Sequence, residues 1–320
     1  MLTIEHASGS HEEYAARARL EQVLWPESAT SEAVLRHQDG SWDPRYFMQR
    51  YMIRWGGEIA GNGLACEMPW SYTPGRYQIW GQLFPARQGR GLGAALYRYM
   101  LAELLPREPK PAELISYTTE AQPRAIRFLE ERGFERTMRW IITALDVRAF
   151  EPDAWSDIIE NATAGDIAIC PLSDLQPHDP DWGMKLYDLD WEAAQDEPSP
   201  TPLTRRSYAE YVKEYLESPG FDPSAWFVAV DGERYVGMSQ LEVNVEDPRE
   251  MRTGFTGVAS VYRRRRLATA LKVAGIAHAK ERGVHTITTG NEEHNPMYQI
   301  NVDLGFTYRT ASLSYRKELR

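Results

Sequence analysis

The sequence predicts an α/β (α+β) protein built from two copies of one unit, and three observations carry this. The chain has 320 residues, well beyond the roughly 100 to 150 of an ordinary domain. The stretch GQLFPARQGRGLGAALYRYM can be laid against TGVASVYRRRRLATALKVAG, with Gln88 over Arg263 and Gly93 over Ala268, both 175 residues apart. AIRFLEERGFERT lies in turn against MYQINVDLGFTYRT, with Gly133 over Gly305, 172 residues apart. In each half a basic turn opens a helix, followed by a short strand, a second helix and Gly-Phe. The period far exceeds the roughly 20 to 50 residues of stacked repeats, so two diverged copies are expected rather than a solenoid.

In the first copy LTIEHA reads as a strand, and HEEYAARARLEQVLW spaces its apolar residues helically. RYFMQRYMIRWGGEIAGNGLACEM gives two strands around its glycines, and RYQIWGQLF a fourth. Leu92, Leu96 and Met100 fall four apart, which puts them on the buried face of the next helix. AELISYTT is a strand, and QPRAIRFLEERGF a helix with proline in its first turn and Gly133 near its end. RTMRWIITALDV closes the copy.

The second copy begins with DIAICPL, and helical stretches run from Trp182 to Gln195 and from Leu203 to Leu216. AWFVAVDGERYVGMSQLEVNV is a hairpin turning at Asp231-Gly232. TGFTGVASV is the central strand, Leu267 to Arg282 a helix whose Leu267 and Leu271 point to the core, HTITTG a strand and NPMYQINVDLGF a helix. Polar and turn-forming residues in RAFEPDAWSDIIENATAGD place the boundary near residue 150, giving domains 1–150 and 151–320.

With 42% hydrophobic and 26% charged residues the chain is globular. No apolar run reaches the roughly 20 residues of a membrane span, and the N-terminus lacks a signal peptide's basic and apolar regions, so a cytoplasmic protein is expected. Cys66 and Cys170 are the only cysteines, too few for a disulfide framework or a thiolate metal cluster. A formal charge of -10 argues against nucleic-acid binding. Two linked copies already resemble a dimer, so a monomer is expected, with a dimer of the whole chain as the alternative.

The basic turn suits a pyrophosphate. A helix start offers unpaired N–H groups and about half a unit of positive charge. Glycines at 89, 91 and 93 let backbone approach an anion, and Arg87 and Arg90 add charge. A Walker loop needs Gly-Lys-Ser/Thr, and a dinucleotide fingerprint needs glycine where Gln88 stands; neither is present.

These residues resemble a family. QGRGLG, Gln88 to Gly93, has the Q/R-x-x-G-x-G/A pattern of the GNAT N-acetyltransferase superfamily, at the end of a central strand and the start of a helix. TGVASVYRRRRLATALK followed by TTGNEEHNPMYQINVDLGF is similar to the C-terminal half of tandem GNAT proteins of the mycothiol synthase-like type. The resemblance implies two tandem domains, each a mixed, mostly antiparallel twisted sheet flanked by helices, and acetyl-CoA as cofactor. It implies amides near Leu83 and Phe84, or Val258 and Ala259, on the pantetheine and thioester oxygen. It implies diphosphate contacts from Gln88, Gly89, Arg90, Gly91, Leu92 and Gly93, or from Arg263, Arg264, Arg265, Arg266, Leu267 and Ala268. The second copy departs from the family at Arg266, where glycine is usual; the four arginines also admit a solvated turn or a nucleic-acid patch.

The family's usual acid is a tyrosine four residues before the glycine of Gly-Phe, but Leu129 and Asn301 stand there. Tyr298, one turn earlier, is the substitute candidate, with packing as its other reading. Glu242, Glu292 and His294 are the candidate bases, each also readable as a surface residue. Asn291 and Asn295 match the tandem signature as partners for CoA, Asn301 is a further candidate contact, and Thr119 with Ala121-Gln122-Pro123 is the weaker counterpart. Tryptophans 42, 55, 70 and 80 are candidates for a substrate groove or for packing. The expected activity is direct acetyl transfer from acetyl-CoA to a small primary amine in a ternary complex, because no positioned cysteine suggests an acyl-enzyme. The second copy is expected to carry it. A non-catalytic CoA-binding scaffold is the alternative.

Overall fold

The computed structural model describes residues 1–26, 29–199 and 201–319. The chain forms two compact units. Unit 1 takes Met1–Trp140, Ser199–Arg206 and Thr310–Arg320, and unit 2 takes Ile141–Pro198 and Ser207–Arg309.

Unit 1 begins with β1 (Leu2–His6), α1 (His11–Leu24) and α2 (Glu32–Ser41). Ser10 and Glu13 form a capping box at α1 and Ser31 caps α2, so amides left over at both helix starts find acceptors. Strands β2 (Met48–Trp55) and β3 (Glu58–Cys66) join through Gly56 and Gly57, whose φ of 64° and 88° is the pair of left-handed residues that a two-residue type I′ turn requires. β4 (Arg76–Leu83), α3 (Leu92–Leu104), β5 (Glu113–Thr119) and α4 (Pro123–Glu130) follow. Pairing is antiparallel from β1 to β4 and parallel between β4 and β5, as the helical crossover between them requires.

The strand expected to close the first copy is β6 (Glu135–Asp146), and from Ile141 onward it belongs to unit 2. That unit continues with α5 (Ser156–Ala162), β7 (Ile167–Pro171), α6 (Leu172–Leu175), α7 (Trp182–Ala194) and α8 (Tyr208–Tyr211). The segment expected to be helical from Leu203 is helical only from Tyr208. Pro202 offers no amide, Thr204 N donates to Trp70 O at 2.8 Å, and the Ser207–Glu210 capping box starts the helix. The hairpin of β8 (Trp226–Asp231) and β9 (Arg234–Val243) turns through Gly232 at φ 59°. Then come β10 (Glu250–Val258), α9 (Leu267–Glu281), β11 (Thr286–Glu292), α10 (Pro296–Asp303) and β12 (Thr307–Glu318).

The last strand returns to unit 1. Ser312–Glu318 of β12 pairs antiparallel with β5, and Leu313 and Tyr315 enter the core beside Tyr97 and Phe134. In unit 2 the matching place near α9 and α10 holds Leu145, Val147 and Phe150. Within each unit the strands run in the orders β1-β2-β3-β4-β5-β12 and β7-β8-β9-β10-β11-β6. Both are mixed and mostly antiparallel sheets flanked by helices.

Helix faces follow the sequence pattern. Leu92, Leu96 and Met100 are 1, 2 and 3% exposed, and Leu267 and Leu271 are equally buried; each such side chain contributes about 1.5 to 3 kcal/mol by leaving water. In unit 2 the alternation of β8 separates two cores. Trp226 and Val228 pack with Leu186 and Leu189 of α7, whereas Phe227 and Ala229 pack with Leu267 and Leu271 of α9. Successive strand residues point to opposite faces, so α7 and α9 lie on opposite sides of this sheet. Among the described residues no helix is long and apolar enough to cross a membrane.

Candidate active site

β10 and β11 pair in parallel only over Glu250–Arg252. Beyond that, β10 has an irregular step against β9 between Thr253 and Thr256, and a cleft of about 640 Å³ opens between β10 and β11. Gly257 and Val258 line one wall and Thr289, Gly290 and Asn291 the other. Ala193 and Glu197 reach it from α7 and the residues after it, and Ala268 and Lys272 from α9. Because those helices cover opposite faces, the cleft passes through the sheet. Unit 1 repeats the starting geometry, with β4 and β5 paired in parallel over Arg76–Gln78 only.

At the end of each central strand stands the repeated turn. Gln88 Nε2 donates to Leu83 O at 3.2 Å, and Arg263 Nε donates to Val258 O at 3.1 Å. Both side chains therefore brace the turn, and Arg263 is also ion-paired with Asp196. Gly89 and Gly91 have φ of 74° and 78°; Arg264 and Arg266 hold the same conformation at 60° and 61°. A side chain there costs about 1 to 2 kcal/mol. Gly91 and Arg266 are the N-caps of α3 and α9, and neither helix start has a side-chain cap, which leaves first-turn amides open to an anion.

Of the cofactor residues expected in the second copy, Val258, Arg263, Arg264, Arg266, Leu267, Ala268, Asn291 and Asn295 line the cleft. Ala259, Arg265 and Asn301 stand outside the lining. The Ala259 amide donates to Val236 O at 2.9 Å and that of Phe84 to Ala60 O at 3.0 Å. These two amides, expected to meet the thioester, are thus committed to the neighbouring strand; Val258 and Leu83, one residue earlier, face the other way by the strand's period of two. Arg265 lies 5.8 Å from the Tyr262 ring centre. Asn301 is fully buried and donates from Nδ2 to Asn291 Oδ1 at 2.5 Å, so it holds a residue of the wall. Asn295 Oδ1 accepts from Met297 N at 2.9 Å and caps α10. In the first copy Leu92 is core, Gly93 packs toward Phe128, and Gly91 faces open space. Arg90 is exposed, and Arg124 of α4 lies beside Gly89, a second cation that the sequence reading missed.

The acid and base candidates are dispersed. Tyr298 is half-buried on α10 and outside the cleft lining. Glu292 is buried, also outside the lining, and accepts from His294 N at 2.8 Å. Glu242 is ion-paired with Arg252 at 3.0 Å and lies across Gly254, a residue of the lining: a Cβ on Gly254 would stand 2.7 Å from Glu242 Oε1. Two cleft residues were missed. Burial, with Asp190 adding to it, raises the Glu197 carboxyl above its usual range, and burial brings Lys272 down to about 7. Lys272 had a legible signal, a charge inside the apolar run that holds Leu267, Leu271 and Ile276. Glu197, in the polar stretch after α7, had none. Of the tryptophans, Trp42 packs edge-on against Trp70 and lines a separate cleft of about 590 Å³ in unit 1.

The acetyltransferase (GNAT) family model matches this chain twice, over residues 12–134 and 184–300. The chain belongs to the GNAT acetyltransferase family. Its two matched segments fall on the two copies read from the sequence, and in each copy the two central parallel strands pair over three residues only. No match to the chain was found among curated protein sequences. Among solved structures it is similar to a tandem GNAT protein from the clavulanic acid biosynthesis pathway, at 19% identity and TM-score 0.74, covering 99% of this chain and 98% of that one. A GCN5-related N-acetyltransferase from Sphaerobacter thermophilus aligns at 18% identity and TM-score 0.69 over 100% of this chain and 96% of that one. A glucosamine N-acetyltransferase region of a fungal multi-domain β-N-acetylglucosaminidase aligns at 12% identity and TM-score 0.69, over 98% of this chain and 38% of that one. At these identities the likeness is one of fold. The tandem GNAT architecture and acyl transfer as the general activity follow from the family.

Proposed function

We propose that the protein acetylates a small primary amine from acetyl-CoA by direct attack in a ternary complex, and that unit 2 carries the chemistry. The observation that supports this best is the cleft itself. It runs through the sheet between β10 and β11 and ends at a helix start without a side-chain cap, beside the exposed cations Arg264 and Arg266. In this reading the amides of Leu267 and Ala268 hold the diphosphate, the Val258 region of β10 receives the pantetheine, and Asn291, held by Asn301, orients it. The amine enters from the α7 side, where Glu197 lines the cleft and Glu242 stands across Gly254. The acceptor ammonium first gives one proton to Glu242; its neutral nitrogen then attacks the thioester carbon, the C–N bond forms as the C–S bond breaks, the second proton lost by the nitrogen goes to the leaving thiolate, and Glu242 returns its proton to solvent. A fixed donor at the oxyanion is worth about 3 kcal/mol of barrier. The protein acts as a cytoplasmic monomer.

Release of free thiol from acetyl-CoA against a panel of small amines, followed alongside calorimetric binding of CoA, tests the reading. Amine-dependent thiol release supports it. Tight CoA binding without turnover on any amine favours a CoA-binding scaffold instead, a second reading motivated by Asn301 standing where an acid is expected and by Tyr298 lying outside the cleft.

A further inference from the structure

Lys272 is a charge-bearing side chain in an unusual place. It is 4% exposed and sits on the buried face of α9, its Nζ 5.6 Å from the Phe306 ring centre. The side chain lines the cleft, and among the described residues its amine has no hydrogen-bond or ion-pair partner. The first copy fills the same helix position with Tyr97, 175 residues earlier. There the polar tip is satisfied: Lys317 Nζ donates to Tyr97 Oη at 3.2 Å. A buried amine without a partner costs several kcal/mol in the charged form, and its environment answers by favouring the neutral amine, with a pKa of about 7. A neutral amine is a nucleophile.

We propose that Lys272 is an acyl acceptor in its own cleft, modified on Nζ by acetyl-CoA bound between β10 and β11. This rests on the cleft being the thioester site. The Lys272 nitrogen attacks the thioester carbon, an amide C–N bond forms as the C–S bond breaks, and the proton lost by the nitrogen goes to the departing CoA thiolate. No oxidant or second reactant is needed. An amide is a far poorer acyl donor than a thioester, so acetyl-Lys272 is not a carrier that passes the group on. It places a neutral, bulkier head in the cleft wall and limits further loading of the cofactor. The other ionisable groups sharing the cleft are Tyr262, Arg263, Arg264 and Arg266 at the turn, Asp196 and Glu197 after α7, and Asp303 on α10, with Arg263 and Asp196 ion-paired to each other. The depressed proton affinity of Lys272 comes from its burial.

The test uses the full chain with acetyl-CoA alone, no amine, followed by intact mass and peptide mapping, with calorimetry of CoA on the same preparation. The expected result is one acetyl group on Lys272, formed at a rate that saturates with acetyl-CoA at the concentration that half-fills the site by calorimetry, and CoA affinity lowered about tenfold in the modified protein. Acetylation spread over surface lysines at a rate linear in acetyl-CoA, or an unmodified Lys272 in protein that binds CoA, overturns the inference and leaves the cofactor site standing. No heat with CoA removes the cofactor reading and this inference together.

Discussion

Arg266 holds the same left-handed backbone as Gly91, φ 61° against 78°, at the same step of the repeated turn. One copy meets the conformation with the residue that adopts it freely, and the other imposes it on an arginine that lines the cleft. Opposite effects on stability follow. Gly91→Ala, where an added Cβ has open space around it, destabilises by about 1 kcal/mol through backbone strain alone. Arg266→Gly relieves strain of about 1 to 2 kcal/mol against an entropy loss of about 0.5 to 1, so it stabilises slightly while weakening CoA binding. Thermal unfolding of both variants with calorimetry of CoA checks this; a common direction for both melting shifts would refute the strain account.

Glu242 and Gly254 form the second pair to probe. Glu242→Gln is expected to lower kcat by about 10² to 10⁴, the usual contribution of a positioned base, while leaving the fold intact. The Glu242–Arg252 pair is well exposed on the arginine side, and such pairs contribute only about 0 to 1 kcal/mol. Gly254→Ala, whose Cβ would collide with Glu242 Oε1, should reduce turnover too by displacing the carboxylate. Steady-state kinetics on an accepted amine decides, and a Glu242→Gln enzyme with unchanged kcat removes Glu242 from the chemistry.

Lys272 gives the stability a pH dependence of definite sign. Burial depresses its pKa to about 7 in the folded chain, against the ordinary value of 10.5. Between those values the unfolded chain binds the extra proton, so the lysine's contribution to stability rises with pH across that window, by about 1.4 kcal/mol per pH unit at most. Below pH 7 the penalty is present in full. Lys272→Met is therefore expected to be more stable than the parent at pH 7, with the difference shrinking toward pH 10. Urea unfolding across that range checks it, and a gap that does not change with pH assigns the difference to packing.

The closing strands predict where damage appears. Tyr315 is 1% exposed in the core of unit 1 and Leu145 is 4% exposed in the core of unit 2. Tyr315→Ala and Leu145→Ala should each cost about 2 to 5 kcal/mol. Hydrogen exchange should locate the first loss in the β2 to β5 peptides and the second in the peptides of α9 and β11. Tyr315→Ala loosening α9 instead would contradict the assignment of β12 to unit 1.

Much of this was legible in the sequence because it rests on local chemistry. Four-residue spacing sends Leu92, Leu96 and Met100 to a core face, and the repeated basic turn announces a helix start twice. The left-handed arginines were not legible: a run of four basic residues reads the same whether it is strained at a helix start or solvated in a loop. Glu197 was hidden for a related reason, since burial that shifts a carboxyl comes from distant chain segments.

From the amino-acid order alone come the duplication, the alternation of strand and helix, the family and the basic turn that opens a helix in each copy, because each depends on spacing within a short window. Only the tertiary structure decided that residues 310–320 complete the first unit while 141–150 serve the second, and that Lys272 is buried in the wall of a cleft through the sheet. A strand pairs through backbone groups that every residue shares, so its sequence states that it will pair and not with whom. A lysine's charge likewise acquires its meaning from what surrounds it after folding.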